Sequence, residues 1–351
     1  MNADTFSTYA VDTAKNVMQI HWVDVATGAI GRKKLPRAKL TEFFAQHPGG
    51  RVVMEACGGA HHWGRTLQAM GHTVELLPAH QVKAFVVGNK DDAGDARAIW
   101  LASQHSDIRR VPVKSCEQQA TLLLHRMRQH WVDVRTATVN SLRGVLYEFG
   151  VVLPVGKNAG LAALGKRRAE IDPGLPQMMV RLMDRQLEAL GQIEQHVKGF
   201  DAEIEQLQKT DAMAKRLRQV PGIGPLGASA LAAVLGDASG WRNGRQFSCC
   251  LGLVPRHSGT GGKVHIGGIS KRGDAYVRNL LINGARAVIA GSKNLPEWVS
   301  RMLLRRPMNV VVVALAHKLA RTAWALLAHG RSYDKKWQSS PPNMAMTTAM
   351  A

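Results

Sequence analysis

Acidic residues are the scarce class in this chain. Its 351 residues hold 26 Asp and Glu against 46 Lys and Arg, a formal net charge of +20. That imbalance argues for a polyanionic partner, and nucleic acid is the commonest one. A basic membrane-surface protein would gather its charge on one amphipathic helix, whereas here the cations read as spread over the chain. Cysteine is scarce too. Cys57, Cys116, Cys249 and Cys250 make no CxxC pair and no zinc-ligand spacing. Cys249 and Cys250 are adjacent and poorly placed to bridge one another, and four reduced, small apolar thiols fit a cytoplasmic setting. The N-terminus, MNADTFSTYAVD, lacks a cationic stretch followed by an apolar core, so no secretory signal is expected. The longest apolar run, Val310–Ala316, is too short to span a membrane. No GxxxxGK[ST] loop is present, which leaves no P-loop for ATP.

What is present suffices for two or three domains with real cores, since 45% of the residues are hydrophobic. FSTYAVD, MQIHWVDV and AIGRKKL predict three strands between residues 6 and 35. Ala38–Gln46 has helical spacing, RVVME (51–55) is a short apolar strand ending on an acid, and His61–Met70 reads as a helix. Thr73–Leu77 reads as a strand, Gln81–Val87 as a helix, and DAGDARAIWLAS (92–103) as a helix with acids in its first turn. This order predicts a mixed α/β layer.

From Ser115 to Tyr147 the pattern is helical and rich in Arg, and Pro154–Gly165 is expected to break it. Met183, Leu187, Leu190, Ile193, Val197, Phe200, Ile204 and Leu207 then recur at steps of three and four. That stripe is read either as a bundle helix packed within the chain or as a self-associating coiled coil. QVPGIGPLGASALAAVLGD (219–237) has the composition of a helix-hairpin-helix, with a plain tight turn as its alternative. Asn309–Leu327 is an apolar helix expected in a core, and the last residues, 338–351, are expected to be disordered.

Two constellations carry chemistry. Asp12 closes the first strand, Glu55 closes a later one, and Asp92 and Asp95 lie three apart on one helix face. Four carboxylates at strand ends and a helix start can form an oxygen-rich site suited to Mg²⁺ or Mn²⁺. His61 and His62, being adjacent, cannot both face one ion from a helix and read as structural or nucleic-acid-facing. The second constellation is GLVPRHSGTGGKVHIGGISKRGDAYVR (252–278), a glycine-rich stretch with Ser258 and Thr260 among Arg256, Lys263, Lys271, Arg272 and Arg278. It is a place to hold a phosphodiester beside a nucleophilic hydroxyl, with the cations as nucleic-acid contacts.

These motifs resemble a known family. AVDTAK around Asp12, MEACGG around Glu55 and NKDDAGDA around Asp92 and Asp95 are similar to the acidic motifs of DEDD insertion-sequence transposases. PGIG, FSCCLGLVPRHSGTGG and GISKRGDAYVRNLL resemble that family's C-terminal transposase domain. The resemblance covers about residues 6–337. It implies an α/β plus all-α chain: a RuvC-like domain of the ribonuclease H fold (1–112), a helical coiled-coil connector (113–212) and a mainly helical C-terminal transposase domain with a helix-hairpin-helix (213–337). It further implies a recombinase guided by a structured non-coding bridge RNA that pairs with donor and target DNA, acting as dimers that pair into tetramers.

Asp91 and Asp92 are both candidates for the third acid, with Asp92 in the family register. The family places its hydroxyl five residues after the proline, which from Pro255 reaches Thr260; Ser258 is the less hindered hydroxyl. The expected reaction is DNA cutting and rejoining through a covalent hydroxyl–phosphate intermediate assisted by divalent metal, in the bacterial cytoplasm and at the nucleoid when acting. Its alternatives are a RuvC-like junction nuclease that uses water at the same acids, and a non-enzymatic nucleic-acid scaffold.

Overall fold

The computed structural model describes residues 7–87 and 92–334, apart from the side chains of residues 92 and 93. Asp91 and the expected disordered tail, 338–351, lie outside the described residues. The chain divides into two compact units, residues 1–119 and 120–351.

The first unit is built on a five-stranded sheet. β1 (Thr8–Thr13), β2 (Val17–Val23), β3 (Ile30–Pro36), β4 (Arg51–Glu55) and β5 (Thr73–Leu77) lie in the order β3-β2-β1-β4-β5. β1–β2 and β2–β3 pair antiparallel, while β1–β4 and β4–β5 pair parallel. β4 lies inside the sheet between β1 and β5 and is buried on both faces, which is why RVVME shows no alternation. β3 lies at the edge with Arg32, Lys33 and Lys34 in its middle, and charge of this kind discourages edge-to-edge pairing with another chain.

Side chains alternate across the sheet and divide its core in two. Tyr9, Val11, Val52, Met54 and Leu76 pack with α1 (Leu40–Ala45) and α2 (Ala60–Ala69). Ala10, Val53 and Leu77 pack on the other face with α3 (Ala79–Val82) and α4 (Asp92–Ser103), through Val82, Ala98, Ile99 and Ala102. The expected helix Gln81–Val87 is thus the short α3 followed by a 3₁₀ turn at Lys83–Phe85. This mixed sheet with helices on both faces is consistent with a RuvC-like N-terminal domain.

The second unit is mainly helical. α5 (Cys116–Glu148) and α7 (Gln177–Thr210) run antiparallel, because their contacts ascend one helix while descending the other. Arg128 meets Asp201 at 2.5 Å, Trp131 stacks on His196 at 4.3 Å between ring centres, and Arg135 meets Glu194 at 3.5 Å. α6 (Lys157–Ile171) joins them, so the break expected over 154–165 is confined to the residues before Lys157. Val139, Leu142, Leu146, Leu164 and Ile171 cover Met183 and Leu190. Met183, Leu190, Ile193, Val197 and Ile204 are all at most 6% exposed. The apolar stripe is therefore buried within the chain, and the reading of it as a self-associating seam is corrected: the partner it needs is α5.

α8 (Ala212–Leu217), α9 (Pro225–Leu235), α10 (Gly244–Cys250), α11 (Ala275–Gly291), α12 (Glu297–Leu303) and α13 (Met308–Ala328) share one core. By length and composition α13 is apolar enough to cross a membrane. Half of its most apolar window is buried, and Val312, Leu315, Ala316, Leu319 and Ala320 lie in this core, which marks it as a core helix. Between α10 and α11 the glycine-rich stretch forms a two-stranded hairpin, β6 (Pro255–Thr260) and β7 (Lys263–Ile269).

Candidate active site and nucleic-acid interface

The acidic site grows out of strand register. Val11 pairs with Met54 across parallel β1 and β4, so Asp12 and Glu55 are the next residues on adjoining strands. By alternation Asp12 follows Ala10 and Glu55 follows Val53, onto the face that α4 covers. Asp95 lies one turn before Ala98 and Ile99, the residues by which α4 packs on that face. Burial raises the pKa of Glu55, and the nearby Asp95 carboxylate raises it further. Neither acid forms an ion pair with a Lys or Arg among the described residues. By contrast Glu75, also partly buried, is paired with Arg51 at 2.8 Å and Arg110 at 2.6 Å, and its pKa falls despite burial.

An all-oxygen donor set with unrelieved like charge suits a hard divalent cation. The described residues alone do not bring three metal-ligating side chains close enough to hold an ion. The remaining expected acid, Asp92, opens α4, and its side chain lies outside the described residues. The His61 Nδ1 accepts from the Lys114 backbone N–H at 3.1 Å, a contact that fits its structural reading.

Ser258, Thr260 and Lys263 lie in the glycine-rich stretch, and the hairpin gives them an order. Ser258 pairs with His265 and Thr260 with Lys263. Alternation then sets Ser258, Thr260, Lys263 and His265 on one face, and Gly259, Val264 and Ile266 on the other. Gly261 and Gly262 form the turn with φ of 56° and 79°, the left-handed pair that a two-residue hairpin turn requires. Every residue of β6 is exposed. His265 was not singled out from sequence, because only the strand register brings it opposite Ser258.

The two feet of the hairpin are fastened together. The Ser270 N–H donates to the Val254 carbonyl at 2.9 Å, and the Lys271 N–H to the Gly252 carbonyl at 3.1 Å. A Cβ on Gly273 would overlap the Cys250 carbonyl oxygen, so only glycine allows this approach. Arg278 sits inside this joint. It is 8% exposed, and its Nη1 donates to the carbonyls of Leu251 at 2.9 Å and Arg272 at 3.1 Å. The expectation that Arg278 is a surface contact for nucleic acid is corrected: the side chain is spent on backbone carbonyls inside the fold. Arg256, Lys263, Lys271 and Arg272 are exposed. Lys271 has φ +55°, an uncommon conformation for a residue with a Cβ.

A second feature that sequence reading missed is a buried polar chain. The Tyr276 hydroxyl and His125 Nδ1 are 2.9 Å apart, and His125 Nε2 and Ser229 Oγ 3.0 Å apart. Ser229 donates in turn to the Pro225 carbonyl at 3.0 Å. That leaves Ser229 to accept from His125 Nε2–H and Tyr276 to donate to Nδ1. Burial lowers the His125 pKa to about 4, helped by the charge of Arg128. The chain ties α5 and α9 to the first turn of α11.

Comparison with known proteins decides what these two sites belong to. Residues 10–150 match a DEDD transposase family model described as "Transposase", and residues 214–301 match the family described as "Transposase IS116/IS110/IS902 family". A probable family 20 transposase of Pseudomonas aeruginosa is 45% identical over 332 residues, spanning 93% of this chain and 98% of the relative. This chain belongs to the IS110-type DEDD insertion-sequence transposases. The transposase is also 38% identical over 331 residues to the transposase for insertion sequence element IS1328 of Yersinia enterocolitica (93% of this chain, 98% of the relative). It is 36% identical over 327 residues to the transposase for IS1111A of Coxiella burnetii (92% and 90%). It is thus a DNA transposase enzyme, with the divalent-metal dependence that DEDD acids imply in general.

Proposed function

We propose that this transposase cuts and rejoins DNA through a hydroxyl of the β6–β7 hairpin, with the acids Asp12, Glu55, Asp92 and Asp95 as the partner site. The observation that carries this reading is the hairpin itself: two hydroxyls, Ser258 and Thr260, share one exposed face with Lys263 and His265. In the reaction a side-chain Oγ–phosphorus bond forms as the bond from phosphorus to the departing sugar oxygen breaks; the hydroxyl proton passes to a base, His265 or water, and the departing sugar oxygen takes up a proton. The ester conserves the bond energy for rejoining, in keeping with the missing P-loop. Bound Mg²⁺ or Mn²⁺ would supply positive charge against the phosphoryl oxygens. Asp12, Glu55 and Asp95, with Asp92, are the residues that would hold it. Lys263, Lys271, Arg272 and Arg256 would contact phosphates beside the scissile one.

Family register favours Thr260, which directly precedes the turn. The cross-strand position of His265 favours Ser258, because a neutral imidazole there can accept its proton. The order kept is Thr260 before Ser258. A structured guide RNA belongs to the same reading, supported by the +20 charge and the family resemblance. So do the RuvC-like, coiled-coil and helix-hairpin-helix assignments of the three segments 1–112, 113–212 and 213–337. A DNA substrate puts the working protein in the cytoplasm at the nucleoid. Assembly as dimers and tetramers belongs to the same reading and needs a surface other than the α7 stripe.

The experiment is to trap the protein–DNA adduct on a nicked suicide substrate and map the modified peptide, with Ser258→Ala and Thr260→Ala in parallel. An adduct on Thr260, lost only in Thr260→Ala, is expected. An adduct on Ser258 reverses the order. Cleavage without any adduct, surviving both substitutions, makes the protein a water-using nuclease. Recombination unaffected by loss of Asp12 and Glu55 makes it a scaffold.

A further inference from the structure

The positive charge is not spread evenly, contrary to its first appearance. Between residues 212 and 334 there are 18 Lys and Arg against 4 Asp and Glu. Those acids are already engaged, Asp334 included. Asp237 accepts from the Ser239 N–H and hydroxyl, Asp274 caps α11, and Glu297 lies 3.7 Å from Arg301. Among the described residues, Arg301 is the one cation of this segment that forms an ion pair.

One group of them converges away from the hairpin face. α10 packs against α13 so closely that a Cβ on Gly244 would lie 3.0 Å from the Arg321 Cα and carbonyl oxygen. Arg245 is the next residue along, and both Arg245 and Arg321 are exposed. His317 stands four residues before Arg321, on the same face of α13, and is half-buried. Its pKa is lowered by burial first, and then by the charges of Arg321 and Arg245, so both guanidinium groups act on one imidazole. Arg242, also exposed, enters from the residue before the α10 cap, Asn243. None of Arg242, Arg245 and Arg321 forms an ion pair among the described residues. Like charges held together without an acid cost stability unless an anion joins them.

We infer that the α10–α13 face, built on Arg242, Arg245 and Arg321 beside His317, is a second DNA contact that grips the phosphate backbone of a duplex. The chemistry selects the backbone rather than bases. Of the nearby aromatics, Trp241 is buried at 8% exposure and Trp324, one turn after Arg321, packs against the core, so neither offers an open platform on which an unpaired base could stack. Guanidinium groups instead match phosphate oxygens in paired hydrogen bonds. α10 is seven residues long, about 10 Å, and leads straight to the hairpin's foot at Leu251. The inference rests on the family's DNA substrate and not on which residue is the nucleophile.

The test is the salt dependence of binding to a labelled 30-base-pair duplex, using the full-length wild type, the Arg245→Gln/Arg321→Gln double variant and the Arg245→Lys/Arg321→Lys control. The slope of log affinity against log salt should fall in magnitude by about 2 in the Gln variant, roughly 0.9 for each phosphate no longer neutralised. Lys variants should keep most of the slope, with equal melting temperatures showing that both fold. Adduct formation at saturating DNA should survive in the Gln variant, which separates this grip from the hairpin chemistry. An unchanged slope in a folded Gln variant overturns the inference. A loss confined to structured RNA, with duplex binding intact, overturns it in favour of an RNA surface.

Discussion

The guanidinium of Arg278 reaches back 27 residues along the chain to the carbonyl oxygen of Leu251, at 2.9 Å. Leu251 leads into the β6–β7 hairpin and Arg278 follows it, so this one side chain closes the base of the element that presents Ser258 and Thr260. Replacing Arg278 with Leu would strand the Leu251 and Arg272 carbonyls, at about 1–3 kcal/mol for the buried groups left unpaired. The expected outcome is faster amide hydrogen exchange across residues 252–273 and a reduced rate of adduct formation, with duplex affinity nearly kept. A loss of affinity equal to the loss in rate would show Arg278 acting on DNA directly.

The Asp95 carboxylate acts on Glu55, and among the described residues neither forms an ion pair with a Lys or Arg. Asp12→Asn removes a third negative charge from the same sheet face at nearly constant shape. Recombination should fall below detection while the melting temperature stays within a few degrees of wild type. Recombination at wild-type rate in ordinary Mg²⁺ would remove Asp12 from the site.

The α7 stripe faces its own chain. Leu190→Ala opens a cavity between α5, α6 and α7 and should cost about 2–5 kcal/mol. Urea denaturation should show the lower midpoint, while sedimentation of the folded variant gives the wild-type size. A smaller assembly at unchanged stability would return the stripe to the role of a seam between chains.

His125 stays neutral in the fold down to about pH 4, whereas in the unfolded chain it protonates near its usual value of about 6.5. The unfolded state thus binds more protons between those values, and stability falls as pH falls through this window. The loss from His125 is up to about 3 kcal/mol by pH 4. A His125→Gln variant should be less stable at pH 7.5 but show a flatter pH dependence from 6.5 to 4.5. Identical slopes in the two proteins would mean that another group sets the acid response.

The elements of the first unit were legible in the sequence because their signals are local. RVVME and TVELL match β4 and β5 residue for residue, and DAGDARAIWLAS matches α4. Glu55 could be located as a strand end and Asp12 one residue short of one, since each apolar run stops at its acid while β1 continues to Thr13. Which face those acids share was not legible: that follows from the parallel register of β1 on β4 and from the helix that covers one side. The same limit explains the C-terminal site. Glycine, serine and lysine signal a turn but not a hairpin, and the register that puts His265 opposite Ser258 appears only when two strands pair. Arg278 reads as a surface cation until carbonyls from distant residues converge on it. His125 reads as one helical residue among many until Tyr276 and Ser229, 151 and 104 residues away, meet it. Local periodicity set the elements, and long-range packing decided which faces and charges were buried, because burial depends on a partner that the local sequence does not contain.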